Sequence, residues 1–151
     1  MATRYVHTNL VSRNWNKLAN FYQTVFDCEP VLPERNLSGN WLDKATGIAK
    51  AHISGIHLRL PGFGDNGPTL EIFQYENSRP HPEISPDMPG YTHIAFAVDD
   101  VAATAAKIRE RGGRDVGELT RVEVPGVGRL TFQYLADPEG NIIEIQRWMD
   151  E

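Results

Sequence analysis

The 151 residues suit one domain or two intimately packed half-units, and at 40% hydrophobic and 23% charged they can bury a core. A formal charge of -5 with no basic cluster excludes a nucleic-acid surface and attachment to acidic membranes through bulk charge. Cys28 is the only cysteine, which excludes an internal disulfide and any zinc site built from the cysteines of one chain.

Tyr5 to Val11 alternates in character and reads as a strand, with Ser12 as the expected N-cap of the next segment. Trp15, Leu18, Tyr22 and Val25 recur at helical spacing, and the helix should end near Asp27. Trp15, Phe21 and Tyr22 are expected in the core. Residues 36 to 47 are polar and contain glycine. They read as a long loop with a helical turn around Trp41 to Ala45, the kind of loop that serves as a lid. Ala51 to Leu60 and Thr69 to Tyr75 read as strands joined by the turn-rich Pro61 to Pro68. Four prolines between Glu76 and Gly90 mark a linker. The pattern then restarts. A strand spans Tyr91 to Val98, Asp99 caps a helix through Val101, Ala105 and Ile108, and Gly112-Gly113 stops it. A weak strand near Val122 to Val124 and stronger ones at Arg129 to Leu135 and Ile142 to Trp148 complete the chain, the last two joined by the Asp137 to Asn141 turn. The expected division is a single domain, 1–151, with module 1 at about 4–76, a linker at 77–90 and module 2 at about 91–149.

The two halves share more than element order. Tyr5-Val6-His7 opens the first and Tyr91-Thr92-His93 the second; Glu71 and Glu144 each sit inside a later strand of their own half. Strand side chains alternate faces, so Leu70 and Ile72 oppose Glu71 and Phe73, and Ile143 and Ile145 oppose Glu144 and Gln146. An ionised carboxylate among buried aliphatics needs a partner or a metal. His7, Glu71, His93 and Glu144 together are explained by one divalent ion, with Ni, Co or Zn favoured and Fe or Mn as alternatives. His57 and Arg59 share the polar face of their strand. His57 could be a further acid/base and Arg59 could hold a carboxylate or phosphate; a cross-strand polar pair is the competing reading of both. Phe73 should line the pocket beside Glu71, Trp41 should close it as part of a lid or anchor the loop, and Gln133 should touch substrate or support a ligand.

These motifs resemble the vicinal oxygen chelate superfamily, which includes glyoxalase I, methylmalonyl-CoA epimerase, extradiol dioxygenases and the fosfomycin- and bleomycin-resistance proteins. The residues that carry the resemblance are Val6 to Asn9, Leu70 to Phe73, His93 to Asp100, and Asp137 to Asn141 leading into Glu144. The resemblance covers roughly residues 5 to 148. It implies an α+β fold of two paired βαβββ modules forming a curled mixed sheet around a metal cleft. It also implies that His7, Glu71, His93 and Glu144 are the ligands, contributed by one chain or by two across a homodimer. The His-Glu-His-Glu order looks like bacterial glyoxalase I. The epimerases usually carry Gln at the position of Glu71, the dioxygenases lack a carboxylate there, and the bleomycin-binding members lack the ligands. The 36–47 segment and the 61–68 turn depart from a standard glyoxalase I.

The expected function is therefore that of a glyoxalase I-like lyase or isomerase, moving a proton through an enediolate on a small oxygenated or thiol-linked substrate. Glu144 or Glu71 would be the base. The alternatives are an epimerase-like isomerase, an iron(II) dioxygenase, and a non-catalytic small-molecule-binding protein. A cytoplasmic location is expected, because no signal-like apolar segment opens the chain.

Overall fold

The computed structural model describes residues 2–149. The chain separates into two units, residues 1–81 and 82–151.

In the first unit, β1 (His7–Val11) leads into α1 (Trp15–Phe26), β2 (Glu29–Ser38), α2 (Asn40–Thr46), β3 (His52–Arg59) and β4 (Thr69–Tyr75). The sheet order is β1-β4-β3-β2, parallel between β1 and β4 and antiparallel elsewhere. α1 forms because Leu18, Phe21, Tyr22 and Val25 line one stripe, and all four are buried. They cover the sheet face that carries Ile56, Leu58, Leu70 and Ile72, each also buried. Complete burial of one such side chain contributes about 1.5–3 kcal/mol, so this layer fixes which face of the sheet turns away from the helix.

The second unit repeats the plan. β5 (His93–Ala97), α3 (Val101–Glu110), β6 (Arg114–Asp115), β7 (Thr120–Val124), β8 (Gly128–Ala136) and β9 (Ile142–Met149) follow in order. The sheet runs β5-β9-β8-β6, with β7 also pairing β8. Val101, Ala105 and Ile108 of α3 are buried, as are Leu135, Ile143 and Ile145 of β8 and β9. The fold is thus α+β, with two βαβββ-like modules that form mixed sheets. No helix among the described residues is long and apolar enough to cross a membrane.

Several local expectations need correction. The segment expected as a long loop is mostly regular: β2 runs to Ser38 and α2 covers Asn40–Thr46. β2 escapes sequence reading because Pro30 and Pro33 interrupt it. It tolerates them because it is an edge strand whose register shifts between Val31 and Arg35. Asn14, not Ser12, caps α1 by accepting from the Lys17 N–H, while Ser12 Oγ accepts from the Asn14 N–H. Asp100, not Asp99, caps α3 through the Ala103 N–H. Trp15, at the first position of α1, is only partly buried.

Candidate functional site

The parallel register of β1 on β4 sets His7 opposite Thr69 and Asn9 opposite Glu71. β3 then sets His57 opposite Glu71 from the other side. Paired residues share a face, so His7, Asn9, His57, Glu71 and Phe73 lie together on the face away from α1. Glu71 is only 9% exposed. Its Oε1 accepts from Asn9 Nδ2 at 2.8 Å and lies 3.6 Å from His7 Nε2; its Oε2 lies 2.8 Å from His57 Nε2. Candidate donor atoms of His7, His57 and Glu71 all fall within 4.8 Å of one another.

The two histidines stand differently toward Glu71. At 2.8 Å, His57 Nε2 donates a hydrogen bond to a carboxylate that can only accept. In the neutral ring Nδ1 then accepts from the Thr69 hydroxyl, 3.0 Å away. Burial lowers the His57 pKa below its ordinary value; Glu71 works against this, while Arg35, His7 and Arg59 add to it. His7 makes no such hydrogen bond to Glu71. Its 3.6 Å gap approaches the separation, about 3–3.5 Å, of two atoms each bonded at about 2.1 Å to one ion.

In the second unit the same offset recurs. His93 pairs with Ile142 and Ala95 with Glu144, and the His93 Nε2 to Glu144 Oε1 distance is again 3.6 Å. Tyr134 on β8 stands opposite Glu144 as His57 stands opposite Glu71. Its ring meets His93 edge-on at 5.0 Å between centroids. Burial, then the neighbouring Glu144 carboxylate, pushes the Tyr134 phenol above its ordinary pKa. Glu144 Oε2 also accepts from Gln146 Nε2 at 2.7 Å, and Gln146 Oε1 accepts from Trp148 Nε1 at 2.7 Å. The Asp137 turn holds this register. The buried Asp137 carboxylate accepts from the Glu139 and Asn141 N–H groups and from the Asn141 amide.

The remaining expected residues distribute unevenly. Phe73 lies beside the site, its ring 5.9 Å from that of His57. Gly55 makes room for it: a Cβ there would meet the Ile72 carbonyl oxygen at 2.1 Å and Phe73 Cδ1 at 2.8 Å. Arg59 shares the His57 face, with Nη1 donating to the Gly67 carbonyl at 2.6 Å. Trp41 is 58% exposed, and it is Leu42 that anchors α2 against Ile53, with Phe73 and Tyr75 packed alongside. Gln133 corrects the expectation of a substrate contact. It pairs with Ile145 on the face opposite Glu144, is 2% exposed, and donates to the Gly117 carbonyl. Two residues beside the ligands were missed. Asn9 carried a usable signal, since it shares strand parity with His7; Tyr134 carried none, since its parity is opposite to that of Gln133, the residue of its strand expected at the site.

The donor set fits a divalent ion. Imidazole and carboxylate atoms sit together in each unit, at ligand-like separation and with the carboxylates oriented by neighbouring donors. The family model of the Glyoxalase/Bleomycin resistance protein/Dioxygenase superfamily matches residues 4–145. The chain belongs to this superfamily. Among relatives of the superfamily protein, one from Mycobacterium tuberculosis with the provisional name glyoxylase CFP32 is 43% identical over 60 residues, 40% of this chain and 22% of the relative. A Synechocystis protein named as a probable lactoylglutathione lyase is 37% identical over 59 residues, 40% of its length. The matching stretches therefore span well under half of these relatives. A solved glyoxalase family protein from Bacillus cereus superimposes with a TM-score of 0.81 at 18% identity, covering 99% of this chain and 96% of that one. The Listeria monocytogenes fosfomycin resistance protein FosX, solved with Mn(II) and 1S,2S-dihydroxypropylphosphonic acid, gives 0.54 at 20% identity, covering 96% and 92%. At these identities the solved structures speak for the fold alone.

Proposed function

We propose that this superfamily member is a metal-dependent lyase or isomerase of the glyoxalase type, moving a proton on carbon next to a carbonyl of a small oxygenated or thiol-linked substrate. The observation that carries the reading is the repeated His–Glu pair, His7–Glu71 and His93–Glu144, each at 3.6 Å. Opposite each carboxylate stands a side chain able to carry a proton, His57 or Tyr134. A divalent ion held by such a His–Glu pair would polarise the carbonyl and make the neighbouring C–H more acidic. The rest of the work falls to the side chains. Glu144, to which Gln146 donates and which Tyr134 faces across the strands, takes the proton from carbon. Glu71, with the His57 Nε2–H bonded to it, is the alternative base in the first unit.

Elemental analysis combined with a methylglyoxal–glutathione turnover assay tests this reading. We expect bound Ni, Co or Zn and turnover that a chelator removes. A chain without bound metal would overturn it in favour of a non-catalytic binding protein. A full metal site without turnover of this substrate would move the reaction toward epimerase-like chemistry.

A second reading has an observation of its own. His7, His57 and Glu71 make a two-His-one-carboxylate set inside one unit, the donor type of non-haem iron(II) oxygenases. The hydrogen-bond length between His57 and Glu71 favours the first reading, since it engages His57 with the carboxylate. Oxygen-sensitive iron, lost from a His57→Gln variant, would reverse the order of the two.

A further inference from the structure

Among the described residues every Lys and Arg is exposed except two, Arg35 and Arg59. Both belong to the face of the first sheet that carries His7, His57 and Glu71. Arg35 on β2 pairs with Gly55, Arg59 on β3 pairs with Thr69, and His57 lies midway between Gly55 and Arg59 along β3. Same-face neighbours on one strand are about 7 Å apart, so the two arginines flank His57.

Each guanidinium is anchored by backbone. Arg35 Nη1 donates to the Pro33 carbonyl and Arg59 Nη1 to the Gly67 carbonyl. Neither has a carboxylate partner among the described residues, whereas the exposed Arg109 and Arg114 pair with Asp115 and Glu83. Glu29, the cross-strand neighbour of Arg59, is exposed and forms no ion pair with it. A cation partly withdrawn from water without a counter-charge is costly, and one carbonyl leaves most of the five guanidinium N–H donors uncommitted. Beyond Gly55 the same face is filled by Ile53, packed with Leu42 of α2. The unpaired charge is therefore confined to the stretch beside His57.

We propose that Arg35 and Arg59 form an oxyanion subsite, so that the substrate is a small organic acid whose carboxylate or phosphonate they hold beside His57. The proposal deepens the functional reading above and rests on it for the reacting end of the substrate. A planar guanidinium fork suits both anions and binds either through two parallel N–H···O bonds.

The test titrates the full chain with methylphosphonate, acetate and neutral acetamide, following the arginine Nε–H resonances by NMR. We expect one or both anions, but not acetamide, to shift the Arg35 and Arg59 signals. Affinity should fall about tenfold in Arg35→Gln and in Arg59→Gln. Arg35→Lys and Arg59→Lys should fall between wild type and the Gln variants, because they keep charge and lose the fork. The stronger of the two anions names the acid class. Absence of anion binding, equal shifts with acetamide, or equal affinity in the Gln variants would overturn the proposal. Metal content, measured on the same samples, separates the two ideas. Metal without anion binding sinks the subsite alone, and anion binding without metal sinks the metal reading alone.

Discussion

Both units place a histidine on an outer parallel strand and a glutamate two register positions along its neighbour, and both arrive at a 3.6 Å gap between imidazole Nε2 and carboxylate Oε1. What surrounds the glutamates differs. Glu71 is held from the two flanking strands, by Asn9 on β1 and His57 on β3. Glu144 accepts from Gln146 on its own strand and stands opposite Tyr134 of β8, and Ala95, at the position matching Asn9, offers no donor. Only the first unit adds two partly buried arginines to that face. The shared register sets the His–Glu spacing, and the residue opposite each carboxylate on the next strand differs. The comparison teaches that one frame carries two settings: an imidazole stands opposite one glutamate and a phenol opposite the other.

The most damaging changes should separate the two glutamates. Glu144→Gln should cost turnover about 10²–10⁴-fold while retaining much of the metal. Glu71→Gln should cost less, because His57 remains as an acid/base. Steady-state kinetics with metal analysis on both variants checks this. Equal losses would make the units interchangeable, and unchanged turnover in Glu144→Gln would remove it as the base.

The residues opposite the glutamates come next. His57→Gln and Tyr134→Phe should each cost about 10–100-fold in activity or metal affinity. His57→Gln should appear mainly in kcat and Tyr134→Phe mainly in metal affinity, measured by titration calorimetry. The same profile in both variants would erase the distinction between imidazole and phenol.

A packing contrast follows. Gly55 and Phe132 occupy matching positions, opposite Phe73 and Gln146 respectively. Gly55→Ala drives a Cβ into the Ile72 carbonyl and should destabilise by about 1–3 kcal/mol, lowering the melting temperature by about 2–4 °C per kcal/mol. Phe132→Ala, at a partly exposed site, should cost less. Thermal melts of the two variants test the order.

The smallest effect concerns Cys28, which reports on the first unit alone. Burial, with the neighbouring Asp27 charge adding to it, pushes its thiol up to about 12. The thiol is therefore uncharged at pH 8 and should not react with iodoacetamide until the first unit opens. Rapid labelling of the folded chain would show that the end of α1 is loosely packed.

Sequence by itself determined the duplication, the helix stripes and the face on which each glutamate lies. These follow from periods of 3.6 and 2 that any short stretch of chain displays. The Leu70–Ile72 and Ile143–Ile145 pairs around Glu71 and Glu144 were enough to mark the two carboxylates as unusual. Tertiary structure decided what stands beside them. Strand register depends on hydrogen-bond ladders between segments distant in sequence, and a shift of one residue reverses every face. That is why His57 meets Glu71 and Tyr134 meets Glu144. It is also why Gln133, expected from sequence at the site, lies on the face opposite Glu144, and why Arg35, hidden in a proline-interrupted edge strand, joins the His57 face.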